Sequence, residues 1–303
     1  MADLRVKIAG VELKNPLIAA SGAFGFGREY SNLYPLSEWG GIALKGMTIK
    51  ERPGNPPPRV TETAGGMLNA VGLQNPGVDY FIEKDLPWLT EQNICLIANI
   101  AGNAPEDYCA VAEKLNDTAV DMIELNISCP NVKQGGIQFG TSPAGVESIT
   151  KLVRSHCKKP LIVKLSPNVA DIAEIAAAAE SGGADAISMI NTLTGMRIDI
   201  NSRRPIIRNN TGGLSGGAIF PVAVRMVWQA AQRVKIPIIG LGGITCWEDA
   251  VEMLLAGASA LQLGTVLFTD PYAPIHIKEG INKYLDEKGI SSVTELTGGV
   301  IPW

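Results

Sequence analysis

Eight short apolar runs, each stopped by a polar side chain or a glycine, constrain this chain more than any other feature. Residues 16–20 stop at Ser21-Gly22, 41–44 at Lys45-Gly46, 94–98 at Asn99 and 120–125 at Asn126. Residues 160–163 stop at Lys164, 184–190 at Asn191-Thr192, 236–240 at Gly242-Gly243 and 258–263 at Gly264-Thr265. Runs this short and continuous read as parallel strands buried on both faces. Helical patterns separate most of them. Val146, Ile149, Leu152 and Val153 recur at helical spacing before Lys159-Pro160, and an alanine-rich stretch over 172–179 closes on Gly182-Gly183. Val222, Val224, Val227, Ala230 and Ala231 precede the seventh run, and 247–256 ends at Gly257. Strand and helix alternating eight times predict an α/β fold of the TIM-barrel type, (β/α)8, rather than an open sheet.

The ends of the chain and its connections fit that reading. Leu4, Val6 and Ile8 alternate, Ala9-Gly10 turns, and Val11 and Leu13 alternate back, so an N-terminal hairpin precedes the barrel. Two connections exceed an ordinary βα loop. Residues 47–77 carry Pro53, Pro56, Pro57 and Pro58; residues 193–221 carry a strand-like pair and Gly212-Gly-Leu-Ser-Gly-Gly217. Long loops at the catalytic face of a barrel generally bind something. Nothing reads as a linker, so residues 1–303 are expected to form one domain.

Composition narrows the function classes. A net charge of −4 offers no nucleic-acid surface. The N-terminal residues lack an apolar signal core, and no run approaches the roughly 18 apolar residues of a membrane span, so a cytoplasmic protein is expected. The five cysteines, at 95, 109, 129, 157 and 246, form no CxxC pair and are odd in number. That argues against a disulfide framework, a structural zinc site or an iron–sulfur cluster in this chain. With only two histidines, His156 and His276, histidine metal sites are not expected either.

In a barrel the active site lies at the C-terminal ends of the strands, where Ser21, Lys45, Asn99, Asn126, Lys164, Asn191 and the glycines fall. The glycine pairs after the last two runs sit where such barrels bind phosphate through backbone N–H groups. No GxGxxG follows a strand and opens a helix, so a Rossmann dinucleotide site is not supported. A phosphate site, two strand-end lysines and carboxamides at Asn69, Asn126, Asn131 and Asn191 suit a phosphorylated planar cofactor such as FMN. Lys164 beside such a ring would stabilise charge developing on reduction, although a barrel-mouth ion pair is the plainer role for either lysine. Cys129 lies in Asn126-Ile-Ser-Cys-Pro-Asn131, ahead of the glycine-rich segment 134–140. A thiol of pKa roughly 8.5, lowered by a neighbouring cation, can act as a general base. A free cysteine in a turn is equally a small buried hydrophobe.

Together Asn126-Ile-Ser-Cys-Pro-Asn131, Asn69-Ala-Val-Gly-Leu73, Lys45-Gly46, Lys164, Asn191-Thr192 and Gly212-Gly-Leu-Ser-Gly216 resemble the class 1 dihydroorotate dehydrogenases over essentially the whole chain. The pattern is most similar to the catalytic subunit of the NAD-linked subclass, 1B. The resemblance implies FMN-dependent oxidation of (S)-dihydroorotate to orotate in pyrimidine biosynthesis, with Cys129 as the base. It assigns substrate contacts to Lys45, Asn69, Ala70, Val71, Gly72, Leu73, Asn126, Asn131, Asn191 and Thr192. It assigns cofactor contacts to Ser21, Lys45, Gly46, Asn99, Asn126, Lys164, Ile190, Gly216, Gly242, Gly243, Gly264 and Thr265. It further implies a homodimer within a heterotetramer, whose partner subunit carries FAD and a [2Fe–2S] cluster and reduces NAD⁺. One position departs from the pattern: Gly217 stands where a proline is expected after Ser-Gly, which bears on the stiffness of that loop. Residues 132–142 are expected to close over substrate and exclude water.

Three other readings compete. A fumarate-linked class 1A enzyme would need no partner, and an FMN-dependent reductase of tRNA uridine would need a basic surface that the charge of −4 does not offer. A catalytically silent barrel serving as a binding module would have no use for Cys129 and both lysines.

Overall fold

A computed structural model of the chain describes residues 2–127 and 139–303. The chain enters through a hairpin of Val6–Ile8 (β1) against Val11–Leu13 (β2). Its turn places Ala9 at φ 49° and Gly10 at φ 88°, two left-handed residues that match the twist of the strands they join. The Leu13 side chain is buried against Gly41 at the foot of the barrel.

The barrel strands are Leu17–Ala19 (β3), Gly41–Ala43 (β4), Cys95–Ile100 (β7), Met122–Asn126 (β8), Leu161–Lys164 (β9), Ala186–Met189 (β10), Ile238–Leu241 (β15) and Ala260–Leu263 (β16). The remaining strands, Val60–Thr63 (β5), Gly66–Asn69 (β6), Leu193–Gly195 (β11), Ile198–Asp199 (β12), Arg204–Pro205 (β13) and Gly212–Ser215 (β14), lie in the two long connections. The eight barrel strands pair in chain order, all parallel, and β16 closes on β3, so the chain is a (β/α)8 barrel. Ile18, Ile42, Ile97, Ile123, Ile162, Ile187, Ile239 and Leu261 are all at 0% exposure. Burying such a side chain stabilises the fold by roughly 1.5–3 kcal/mol, which is why these short runs seek the interior.

Helices cover the outside: Val78–Tyr80 (α1) and Leu86–Thr90 (α2) joined by a π-helical turn over Phe81–Asp85, then Pro105–Leu115 (α3), Pro143–His156 (α4), Ile172–Ser181 (α5), Phe220–Ala231 (α6), Trp247–Leu255 (α7) and Ala273–Lys288 (α8). Asp171 caps α5 by accepting from the N–H groups of Ala173 and Glu174, and Ser142 caps α4 through Gly145. The first strand has no α-helix after it. Two 3-10 turns, Tyr30–Asn32 and Leu36–Glu38, replace it, and Phe24 stacked on Tyr30 with Trp39 edge-on fills the space. On α4 the buried stripe is Val146, Ile149 and Val153; Leu152, expected with them, is 38% exposed because it points off that stripe. No helix among the described residues is long and apolar enough to cross a membrane.

The two long connections meet. Strands β5 and β6 form a hairpin, β14 adds to β6, and β11 adds to β14, giving one antiparallel sheet in the order β11-β14-β6-β5. The glycine-rich stretch after Gly212, which its composition marks as loop, is therefore strand up to Ser215. Its glycines are set by proximity. A Cβ on Gly66 would lie 2.0 Å from the Ser215 carbonyl oxygen, and one on Gly213 would lie 2.1 Å from the Thr192 hydroxyl.

Candidate active site

The C-terminal ends of the barrel strands and the added sheet enclose a cavity of about 530 Å³. Ser21 comes to it from β3, Lys45 and Gly46 from β4, Asn99 from β7, Asn126 from β8 and Lys164 from β9. Ile190, Asn191 and Thr192 follow β10, Gly242 and Gly243 follow β15, and Gly264 and Thr265 follow β16. The added sheet and the turn after β6 contribute Asn69, Ala70, Val71, Gly72, Leu73 and Gly216. Every described residue expected at the site thus lines the same cavity. Cys129 and Asn131 lie outside the described residues, as do 132–138 of the expected flap; Phe139–Thr141 form a 3-10 turn leading into α4.

Behind this wall is a polar layer that sequence reasoning misses. In register, Glu124 of β8 sits beside Asn99 of β7, and Lys164 of β9 lies between Asn126 of β8 and Ser188 of β10. Strand alternation points Glu124 and Asn126 to the same interior. Glu124 is fully buried and accepts from Asn99 Nδ2 at 2.5 Å, Ser188 Oγ at 2.8 Å and Gln262 Nε2 at 2.6 Å. Lys164 Nζ lies 3.6 Å from Glu124 Oε1 and donates to Gln262 Oε1 at 3.2 Å. Lys164 is therefore both the ion-pair partner of Glu124 and a residue of the cavity wall. A glutamate two residues before a strand-end asparagine, inside an apolar run, is the one local signal of this layer.

Lys45 is different. Among the described residues it has no ion-pair partner, and burial, followed by the charge of Arg59, pulls its pKa below the usual lysine value. Arg59 is held beside the cavity by hydrogen bonds to Gln74 Oε1 and the Asn55 carbonyl. The segment from Asn69 to Leu73 is fixed in turn. Ala70 N donates to the Arg59 carbonyl, Asn55 caps Ala70 and Val71, and Asn75 Nδ2 donates to the carbonyl of Leu73, whose φ is 56°. Asn168 braces Thr192 and Thr194 from below.

At the other end the wall is backbone. Gly242 has φ 121° and Gly243 φ 80°; a Cβ on Gly243 would meet Phe220 N at 2.7 Å, and one on Gly242 would meet Ala223 Cβ at 2.9 Å. Only glycine lets the β15 end lie this close to the start of α6. At Gly216, with φ 103°, a Cβ would likewise lie 2.6 Å from Gly66 Cα. Gly217 is not: its nearest neighbour would be 3.8 Å away, so the expected proline position is not a packing constraint here. Thr265 donates to Ser215 Oγ at 2.8 Å, tying the β16 end to the added sheet. Backbone N–H groups at a helix start suit an anion such as phosphate.

Residues 3–285 match the family model described as dihydroorotate dehydrogenase. The chain is 56% identical to the dihydroorotate dehydrogenase B (NAD(+)) catalytic subunit of Alkaliphilus metalliredigens, over 98% of this chain and 99% of that one. It is 54% identical to the protein of the same description from Bacteroides thetaiotaomicron, over 99% of both chains. With the corresponding Geotalea uraniireducens protein the identity is 55%, over 99% of this chain and 98% of the other. A strand-end cavity carrying the expected lysines, carboxamides and glycines, and similarity along the full length of such relatives, lead to one conclusion: the chain belongs to the dihydroorotate dehydrogenase family of enzymes, alongside its type B catalytic subunits.

Proposed function

We propose that the chain oxidises (S)-dihydroorotate to orotate in de novo pyrimidine biosynthesis with bound FMN. The observation that supports it is the convergence of all the described expected contact residues on one cavity. The residues suit that cofactor. Gly216, Gly242, Gly243, Gly264 and Thr265 offer backbone donors for a phosphate, and Asn99 Oδ1 is a buried acceptor with no partner among the described residues. Lys164 brings a positive charge to the same cavity. When bound, FMN supplies a two-electron acceptor for hydride.

The protein's own part is to bind, orient and deprotonate. Lys45, Asn69 to Leu73, Asn126, Asn131, Asn191 and Thr192 hold the substrate's carbonyls, N–H groups and carboxylate. Cys129 as thiolate takes the proton from the substrate carbon next to a carbonyl, while hydride leaves the adjacent carbon, so a C=C bond forms. The electrons pass to a partner subunit carrying FAD and a [2Fe–2S] cluster and then to NAD⁺. A homodimer of this chain forms the core of a cytoplasmic heterotetramer. The relatives' description as catalytic subunits supports that partnership.

The test is Cys129→Ser. It should retain its flavin and lose about 100-fold or more of its turnover at neutral pH, because a hydroxyl is a far weaker acid than a thiol. Turnover close to wild type would remove Cys129 from the base role. For the partnership, light scattering of the chain co-expressed with its electron-transfer subunit should give the heterotetramer; a monomer that reduces NAD⁺ unaided would contradict it.

A further inference from the structure

Glu124 and Ser188 do not line the cavity, whereas Asn99, Lys164 and Gln262, the groups they bind directly or through the carboxylate, do. An ionised carboxylate at 0% exposure is costly, and apolar residues of similar volume in such a place are commonly neutral or stabilising. Stability of the barrel interior therefore does not by itself account for a carboxylate there. The reason for Glu124 therefore lies in what it holds.

A carboxylate only accepts hydrogen bonds, so Asn99 must turn its NH₂ group to Glu124. That leaves Asn99 Oδ1 as the acceptor, beside Gly46, where a Cβ would come within 2.8 Å of it. Gln262 is fixed the same way, since Nε2 donates to Glu124 and Oε1 is left to receive the Lys164 ammonium. Glu124, Gln262 and Lys164 thus form a closed triangle, and the 3.6 Å separation from Glu124 leaves Lys164 with donor capacity toward the cavity. We propose that Glu124 is a positioning residue. It sets Asn99 to present an acceptor, and it anchors Lys164 through charge and through Gln262, so that the pair fixes the electrostatic potential at the cofactor wall. Ser188, donating to Oε2 from behind, moderates that charge.

The inference rests on the cofactor reading, and potentiometry of the purified full-length chain separates the two. Glu124→Gln keeps the shape and removes the charge behind Lys164, so the midpoint potential of the bound flavin at pH 7 should move positive. Ser188→Ala removes a donor from the carboxylate, leaves its charge less compensated, and should move the potential the opposite way. The Glu124→Gln shift should shrink in a Lys164→Met background. Potentials equal to wild type in flavin-loaded Glu124→Gln overturn the proposal, as does an equal shift with and without Lys164. Should Glu124→Gln not fold, an unmoved potential in Ser188→Ala overturns it alone. A wild-type chain that takes up no flavin overturns the cofactor reading and this inference with it.

Discussion

At the end of the cavity built on β7, β8 and β9, with Gln262 reaching in from β16, side chains face the space and a second set of side chains holds them. Asn99, Lys164 and Gln262 face the space, with Glu124 and Ser188 behind. At the end formed after β15 and beside the start of α6, glycine backbone stands in place of such a network. Gly242, Gly243 and Gly216 bring bare backbone to the cavity, and what fixes them is the absence of a Cβ. The first end is specified by hydrogen-bond direction, the second by volume and φ. An isosteric change should therefore damage the first end while leaving its shape intact. At the second, one added methyl should break the shape itself.

The largest effect expected from this contrast is at Gly243. Gly243→Ala puts a Cβ at φ 80° and 2.7 Å from Phe220 N. The cost is about 3 kcal/mol or more, from the left-handed conformation and the overlap together. Flavin affinity measured by fluorescence quenching should collapse and thermal stability should fall; a variant that binds FMN like wild type would show that the β15 end is not built on close approach.

A smaller effect separates the two lysines. Lys45 has Arg59 for a neighbour and no counter-charge among the described residues, and its pKa is lowered, first by burial and then by Arg59. Its ammonium is present below that lowered pKa and lost above it. Orotate affinity should therefore weaken as pH rises at values below those of an ordinary lysine. Lys45→Met should abolish that pH dependence and weaken binding about 10-fold or more, as expected for a charge-assisted hydrogen bond. Isothermal titration across pH is the check, and an unchanged pH profile in Lys45→Met would assign the titration elsewhere.

The smallest effect is at Gly217. It sits next to a glycine that cannot be replaced, yet a Cβ there meets nothing closer than 3.8 Å and its φ is not left-handed. Gly217→Ala should leave flavin binding intact and stabilise the chain by roughly 0.4–1 kcal/mol through the unfolded state. A loss of FMN comparable to Gly243→Ala would erase the distinction between the two glycines.

The same contrast explains which features are legible in the amino-acid sequence. The barrel strands are legible because full burial makes a strand a continuous apolar run. Asn99, Asn126 and Lys164 are legible because a polar residue ending such a run needs a reason. Glu124, Ser188 and Gln262 are not, since their partners lie on other strands: Glu124 reaches Gln262 across the barrel, and no local spacing reports that. The sheet β11-β14-β6-β5 is hidden for a related cause. Its strands are short and glycine-rich, and β6 pairs with β14 from a distant part of the chain. The helix missing after β3 is obscured by glycines at 22, 25 and 27, all at positive φ, which look like loop and are loop. Leu152 shows the limit of periodicity: it fits a helical pattern and yet faces solvent.

The most direct test of the functional claim is an anaerobic titration of the purified chain with dihydroorotate, followed in the visible flavin band. The band should bleach, and its colour should return with a quinone or dye but not with NAD⁺ or fumarate, which marks a half-reaction that needs a partner. Bound flavin that does not bleach would contradict dihydroorotate as the substrate, and recovery with fumarate alone would place the chain with the self-sufficient subclass.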